Sequence, residues 1–162
     1  MSDKLQHTTL NSMADYISAL DILCALAKRN LVIFDKNFED IGLNSAAREN
    51  TLRHFLLSNP AGHLHLLTHD ARSATQHCSR LLSLLRQFSH CMHIYQTPKH
   101  LHHLSEPFAV ADEIHYIRRF HFDDPSGLLA QHDPEKARAF KSQFDEMWAA
   151  SRPGVTATTL GL

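Results

Sequence analysis

Histidines at alternating positions give the chain its clearest candidate for metal chemistry. His63 and His65 are two residues apart in an apolar segment, so on a strand both imidazoles would face one side. His69 follows at the end of that segment and could join them, because imidazole nitrogen is a common zinc ligand. No Cys or Glu nearby completes a ligand set, and Asp70 suits a helix cap. The segment therefore favours surface histidines at a strand edge and predicts no bound metal.

A second cluster, His100, His102 and His103, has the same weakness. It lies in a polar segment and shows no defined ligand spacing such as HExxH. The chain has 14 histidines in all, spread along its length rather than gathered in a terminal run. It has only 5 glycines and no GxGxxG or Walker sequence, so we expect no nucleotide or other cofactor.

Length and charge restrict the class of protein. A chain of 162 residues suits one domain with a substantial core. With 16 basic and 17 acidic residues, it does not resemble a dedicated nucleic-acid or membrane-surface binder, although a local patch leaves nucleic acid open as a partner. No apolar run approaches the roughly 20 residues of a membrane span, and no apolar segment follows the N-terminus. Cys24, Cys78 and Cys91 form no CxxC pair and indicate reduced thiols. We therefore expect a cytoplasmic protein without a membrane segment.

Apolar periodicity predicts helices and strands that alternate along the chain. Helices are predicted at about 10–28, 44–57, 71–88 and 134–148, and strands at about 31–34, 63–68, 91–95, 108–111 and 114–120. The last two strands are expected to pair antiparallel, and a turn is expected at 123–127. Alternating strands and helices indicate an α/β fold with a mostly parallel sheet covered on both faces. Residues 1–151 are predicted to form one domain and residues 152–162 a flexible tail.

Several polar residues directly follow predicted strands. Asp35, His69, Asp70 and residues 95–97 stand at the carboxyl ends of three strands. Ligands of open α/β sheets bind beyond these ends. This edge of the sheet is therefore one candidate location for a site.

The segment from Ser105 to Asp112, with sequence SEPFAVAD, resembles the His-x-Lys-x-x-x-x-Asp signature of phospholipase D-like phosphodiesterases. Residues 19–35 resemble the opening helix and strand of that fold, and residues 127–151 resemble its closing strand and helix. Phe144 and Trp148 have the Phe-x-x-x-Trp spacing of its last helix. The chain is identified as a degenerate, single-copy member of this superfamily, similar to small bacterial families of unknown function. The resemblance implies a three-layer α-β-α sandwich with a mixed, mostly parallel sheet.

The chemistry of such enzymes shows what the altered residues imply. One His attacks phosphorus, a second His protonates the leaving group, Lys holds phosphate oxygens and Asp orients the His. Here Ser105 stands in the His place and Pro107 in the Lys place, while Asp112 remains. Proline has no N–H to donate, and serine needs an adjacent base to become a nucleophile. The resemblance thus implies a binding or interaction module that has lost the usual reaction.

A relocated phosphodiesterase site is the alternative. His103 would replace the missing His, Asp112 would keep its role, and Arg118 or Arg119 would supply the cation. Adjacent residues of a strand face opposite sides, so at most one of the two arginines could reach a given pocket. The competing interpretation is that His103 is an exposed loop residue, that the arginines form surface salt bridges, and that Asp112 bonds backbone amides at a strand end.

The resemblance also implies partners. The pocket of such a fold would suit a phosphate-bearing ligand, and Arg118, Arg119, His103 and Asp112 are its candidate contacts. Members with one signature often dimerise, which leads us to expect a homodimer.

Overall fold

The computed structural model describes residues 4–155, which form a single eight-stranded sheet with helices on both faces. The strands are β1 (Gln6–Leu10), β2 (Asn30–Asp35), β3 (His63–Thr68), β4 (Met92–Gln96), β5 (Phe108–Ala111), β6 (His115–His121), β7 (Asp124–Gln131) and β8 (Arg152–Val155). The helices are α1 (Met13–Leu26), α2 (Ala46–Ser58), α3 (Arg72–His77), α4 (Ser79–Gln87) and α5 (Pro134–Ala150), and a 3-10 turn spans Lys99–Leu101.

The sheet has the strand order β1-β7-β6-β5-β2-β3-β4-β8. Only β2–β3 and β3–β4 pair parallel, while β1–β7, β2–β5, β4–β8, β5–β6 and β6–β7 pair antiparallel. The predicted mostly parallel sheet is therefore mixed but mostly antiparallel. The reason is local: β5, β6 and β7 follow one another without helices, and strands joined by short turns must pair antiparallel.

Two hydrophobic cores, one on each face of the sheet, confirm the α/β class and the predicted three-layer arrangement. Ile33 belongs to the same core as Leu23 of α1. Its neighbour Phe34 belongs to the other core, with Phe108 of β5 and Phe144 of α5. This alternation follows from the two-residue period of a strand. Because β2 is apolar on both sides, it can occupy the centre of the sheet.

The helix starts carry the expected caps. The Ser45 hydroxyl accepts the N–H of Arg48 at 3.0 Å, which fixes the start of α2. Asp133 accepts the N–H of Lys136 at 3.3 Å, and Pro134 occupies the first turn of α5. Within residues 4–155, no helix is both long enough and apolar enough to cross a bilayer.

The predicted third helix is instead two helices that meet at Cys78. Its backbone leaves the helical region there, with φ of −122° and ψ of 58°. Asp70 was predicted as the cap, but Ala71 stands at that position and makes no side-chain bond. The Asp70 carboxylate accepts the N–H of Arg72 at 3.0 Å, two residues on, as in an Asx turn.

The two edges of the sheet were not predicted. β1 and β8 lie at opposite ends of the strand order. The prediction of a loose tail from residue 152 is wrong for residues 152–155, which pair with β4, and the remainder of that tail lies outside the described residues. The turn predicted at 123–127 is shorter, because β7 already begins at Asp124.

Candidate functional site

The carboxyl ends of β2, β3 and β4 border an open pocket of about 610 Å³. Its walls come from the loops after these strands, the segment around the 3-10 turn, and the tip of the β6–β7 hairpin. The lining residues are Lys36, Asn37, His69, Asp70, Arg72, Gln96, His102, Ser105, His121, Phe122 and Asp123. Three of the positions that the sequence placed at strand ends, His69, Asp70 and residue 96, meet here.

Two side-chain amides of the pocket have their oxygens engaged by the protein. Asn37 Oδ1 accepts the N–H of Glu39 at 3.1 Å, and Gln96 Oε1 accepts the N–H of Ala71 at 2.9 Å. Each amide therefore retains its NH₂ group as the part that can meet a ligand. These NH₂ groups could donate to an anion, although the lining also includes the carboxylates of Asp70 and Asp123, the latter with its Oδ2 3.7 Å from His121 Nδ1.

His121 and Lys36 add to this donor character. His121 Nδ1 accepts the N–H of Asp123 at 3.0 Å, so in the neutral ring the proton lies on Nε2 and can be donated. Lys36 brings an exposed ammonium group to the rim.

The acidic side chain of Asp70 is already paired. Its carboxylate accepts bonds from Arg72 Nε at 3.1 Å and Nη2 at 3.2 Å. The Arg72 guanidinium holds the pKa of Asp70 below its ordinary value. The negative charge of Asp70 is thus balanced within its own turn.

His69 is the buried support of the pocket. Its Nε2 lies 2.7 Å from the carbonyl oxygen of Leu104, which can only accept, so Nε2 donates and Nδ1 accepts from the Thr97 hydroxyl at 2.5 Å. Burial lowers the pKa of His69, which favours this neutral form. Both ring nitrogens are in use. His69 therefore holds the chain just before Ser105, and a role as a general base would require breaking one of these bonds.

The first half of the signature segment lies in the pocket wall. Ser105 lines the pocket, and its carbonyl accepts the N–H of Phe122 at 2.8 Å. Pro107 is buried and its carbonyl accepts the N–H of Arg119 at 3.0 Å. These bonds continue the β5–β6 pairing up to the pocket and fix the backbone from Ser105 to Pro107.

The second half of the signature ends far from the pocket. The Asp112 carboxylate accepts the backbone N–H groups of Lys28 at 2.8 Å, Arg29 at 2.7 Å and Asn30 at 2.9 Å. These amides stand at the amino end of β2. The four residues of β5 alone span roughly 13 Å, so Ser105 and Asp112 do not share a site.

Arg118 and Arg119 face opposite sides of β6, and neither lines the pocket. Arg118 pairs with Glu106 at 3.2 Å and lies over the ring of Phe120 at 4.8 Å on the α5 side. Arg119 is buried on the α1 side, where it pairs with Asp35 at 3.3 Å. The arginines predicted to bind a ligand are thus engaged within the protein.

His103 is also separate from its predicted partners. It is exposed, and its Nδ1 lies 2.9 Å from the carbonyl oxygen of His100. Asp112 is at the opposite end of β5. The structure does not bring His103, Asp112 and either arginine together. Sequence reasoning missed Lys36, Asn37 and His121 of the pocket, and it named His102 only as part of a histidine cluster.

The Asp35–Arg119 pair ties two walls of the pocket together. Asp35 Oδ2 accepts the N–H of Phe38 at 3.0 Å in the loop after β2. Arg119 Nη1 donates to the carbonyl of Phe122 at 3.1 Å in the hairpin tip. Burial raises the pKa of Asp35, and Arg119 opposes this shift. A buried charge pair thereby sets the distance between two lining loops.

The predicted metal candidates are divided between two places. His69 belongs to the pocket, whereas His63 and His65 lie on the α5 side of β3, with His93 opposite His65 on β4. Among residues 4–155, no three His, Cys, Asp or Glu side chains are arranged to hold one metal ion.

A larger cavity of about 790 Å³ lies between α1 and α2, at the amino ends of β2 and β3. It contains Cys24, Lys28 and His54. Burial raises the pKa of the Cys24 thiol to about 12, so that this thiol stays protonated. The cavity therefore offers no activated nucleophile, and the chemistry-bearing groups are concentrated at the other end of the sheet.

Comparison with known structures defines the class of protein: the chain has a phospholipase D-like fold. It superposes on Nuc, a phospholipase D family member from Salmonella typhimurium, with a TM-score of 0.63 at 10% identity, covering 93% of this chain and 98% of that one. For phosphatidylserine synthase from Haemophilus influenzae Rd KW20, the TM-score is 0.65 at 13% identity, covering 96% of this chain and 40% of that one.

The archaeal chromatin protein TrmBL2, whose structure shows a novel mode of DNA binding, is also similar, with a TM-score of 0.69 at 11% identity. The match covers 91% of this chain and 54% of TrmBL2, so the chain spans about half of that neighbour. By sequence, residues 12–160 match the domain of unknown function DUF7931, and the chain belongs to this family. No curated protein matches it.

Proposed function

We propose that this protein is a binding module that holds a phosphate group of its ligand in the pocket at the carboxyl ends of β2, β3 and β4, without hydrolysing it. The observation that carries the proposal is the pocket itself, in which Ser105 lies among side chains that offer hydrogen-bond donors. Phosphate oxygens only accept hydrogen bonds in their ionised form, and this lining complements them.

The lining argues against the usual hydrolysis. Pro107 has no group with which to hold phosphate, and His69 uses both ring nitrogens to support the pocket. The alternative phosphodiesterase, built from His103, Asp112 and an arginine, would need side chains that lie in separate places. Binding without hydrolysis accounts for the retained pocket and the absent nucleophile together.

The ligand class follows from shared chemistry. Phosphate esters and nucleic acids present the same oxygens, and the chromatin protein of similar fold supports nucleic acid as a candidate partner. That similarity concerns the fold only, so the two sources are distinguished by experiment. Inorganic phosphate and a short oligonucleotide of the same total phosphate concentration form the two arms.

Lys36→Ala is expected to weaken binding of inorganic phosphate about tenfold, because it removes a charge-assisted bond worth about 1.5 kcal/mol. Titration of isotope-labelled protein followed by NMR measures this affinity and locates the shifted residues. Lys28→Ala is the matched control, since Lys28 is an exposed lysine at the amino end of β2. It should leave phosphate binding unchanged.

Equal affinities for the Lys36 and Lys28 variants would contradict the proposed site. Tighter binding of the oligonucleotide, weakened by the same Lys36 substitution, would assign nucleic acid as the ligand. Hydrolysis of bis-p-nitrophenyl phosphate that disappears in Ser105→Ala would show that the protein is an enzyme and not only a binding module.

A homodimer remains a prediction from the resemblance. Light scattering coupled to size exclusion should give twice the 18.4 kDa of the chain if it forms. A monomer mass at micromolar concentration would remove this expectation and leave the pocket proposal intact.

A further inference from the structure

The end of α5 is attached to the sheet by a flat aromatic stack. Trp148 lies 4.4 Å from the ring of His65 on β3 and 4.0 Å from the ring of Tyr95 on β4, with 9° between the planes in each case. Elsewhere α5 packs on β5, β6 and β2. The Trp148 stack is therefore what extends the cover of α5 over β3 and β4.

His65 of this stack belongs to a group of three neighbouring imidazoles. His63 and His65 have ring centroids 5.6 Å apart, and His65 lies 5.4 Å from His93 on the neighbouring strand. His93 Nδ1 is buried and has no hydrogen-bond partner among the described residues. An imidazole in such a position is tolerated while neutral, but its protonation would bury an unpaired charge.

The charged groups of α5 that face this cluster partly cancel one another, since Lys141 lowers the pKa of His65 and Asp145 raises it. Lys141 and Asp145 of α5 are near His65, and Lys141 Nζ binds both carboxylate oxygens of Asp145, at 2.8 and 2.9 Å. Burial, with the charges of His93, His63 and Lys141, lowers the pKa of His65 to about 4. Burial and His63 lower the pKa of His93 as well. An added proton on His65 therefore meets like charges from His63, His93 and Lys141, which outweigh the opposite charge of Asp145.

We propose that this cluster is an acid-sensitive latch, in which protonation of His65 and His93 releases Trp148 from β3 and β4 while the sheet and the first turns of α5 stay in place. Release is expected because protonated His65 would meet the like charges of its neighbours. The first turns of α5 are expected to stay in place because Ala137 and Phe140 pack in the core beneath them, away from the Trp148 stack. Opening would expose Tyr95 and the histidine face of β3 to a partner.

The sign of the pH dependence follows from the two states of His65. The folded pKa of about 4 lies below the ordinary value of 6.5, so between them the released chain binds the proton more readily. The latch contribution to stability is complete above pH 6.5 and is lost as the pH falls toward 4.

Trp148 is the only tryptophan of the chain, so its accessibility reports the latch directly. Between pH 7 and pH 4, acrylamide quenching of its emission is expected to rise about twofold while far-UV circular dichroism is retained, as for a local opening. His65→Phe keeps a flat ring under Trp148 but cannot take up a proton, and should abolish the rise. His54→Phe, at an exposed position of α2 in the α1–α2 cavity, is the matched control and should behave as the wild type.

Several outcomes would overturn the latch. These are quenching that stays constant to pH 4, quenching that rises only together with loss of circular dichroism, or an equal rise in the His65 variant. If His65→Phe does not fold, histidine NMR on the wild type decides: the His65 resonance must titrate together with the quenching. A change of emission without greater acrylamide access also contradicts release, since it would mean contact quenching by the charged ring.

Discussion

Arg119→Met is expected to lower the free energy of unfolding by about 3–5 kcal/mol. Arg119 and Asp35 each expose only 5% of their side chains, and the substitution leaves the Asp35 carboxylate buried without its cation. The Phe122 carbonyl also loses a donor. Urea unfolding followed by circular dichroism measures the effect.

The double variant Asp35→Leu, Arg119→Met separates the charge pair from the packing around it. Removing both charges leaves no uncompensated ion, so the double variant should be more stable than Arg119→Met alone, although it carries one more substitution. Additive losses from the single substitutions would show that the pair contributes little beyond its packing.

The Asp35–Arg119 pair also holds two walls of the pocket in place. Asp35 holds the loop that carries Asn37 and Phe38, and Arg119 holds the hairpin tip at Phe122. Loss of the pair frees two lining walls to move apart. We therefore expect Arg119→Met to weaken phosphate binding even under conditions in which the protein is folded, although Arg119 does not line the pocket itself.

Much of the fold could be predicted because central elements carry strong local patterns. β5 was predicted with its observed bounds from a continuous apolar run, and Ser45 and Asp133 marked two helix starts. The edge strands carry no such pattern. In β1 only Leu10 is buried, and β8 contains a proline and a glycine, so neither could be recognised without its neighbours in the sheet.

The site was less predictable because it is assembled from distant loops. The rule that ligands bind beyond strand ends identified His69 and Asp70, which follow an apolar strand directly. The same rule identified Asp35 but not Lys36, which follows it directly. His121 has no such neighbour in the sequence and reaches the pocket only through the antiparallel β6–β7 hairpin. The sheet order, which brings this hairpin beside the loop after β2, had to be known first.

Asp112→Ala is expected to destabilise the fold by about 3 kcal/mol. Loss of the charged acceptor for three backbone amides accounts for about 2 kcal/mol. The remainder, about 1 kcal/mol, comes from placing alanine at a left-handed position, since Asp112 has φ of 57°. Chemical unfolding of the purified variant measures the total.

Two further substitutions separate the loss of the side-chain acceptor from the backbone strain at position 112. Asp112→Asn keeps a side-chain oxygen and tolerates the left-handed backbone, so it should lose less than the alanine variant. Asp112→Gly relieves the backbone strain but loses every side-chain bond, and should lie between them. Equal stability of all three would contradict the role in backbone anchoring.

Phosphate binding by the folded Asp112→Ala protein should be unchanged, because β5 separates Asp112 from the pocket. A loss of affinity in the folded variant would instead restore Asp112 to the site. The segment from Ser105 to Asp112 thus carries two physically separate tasks. Its last residue anchors the amino end of β2, whereas Ser105 at its start lies in the pocket wall. The Asp112 carboxylate is therefore required by the fold independently of any phosphate held in the pocket.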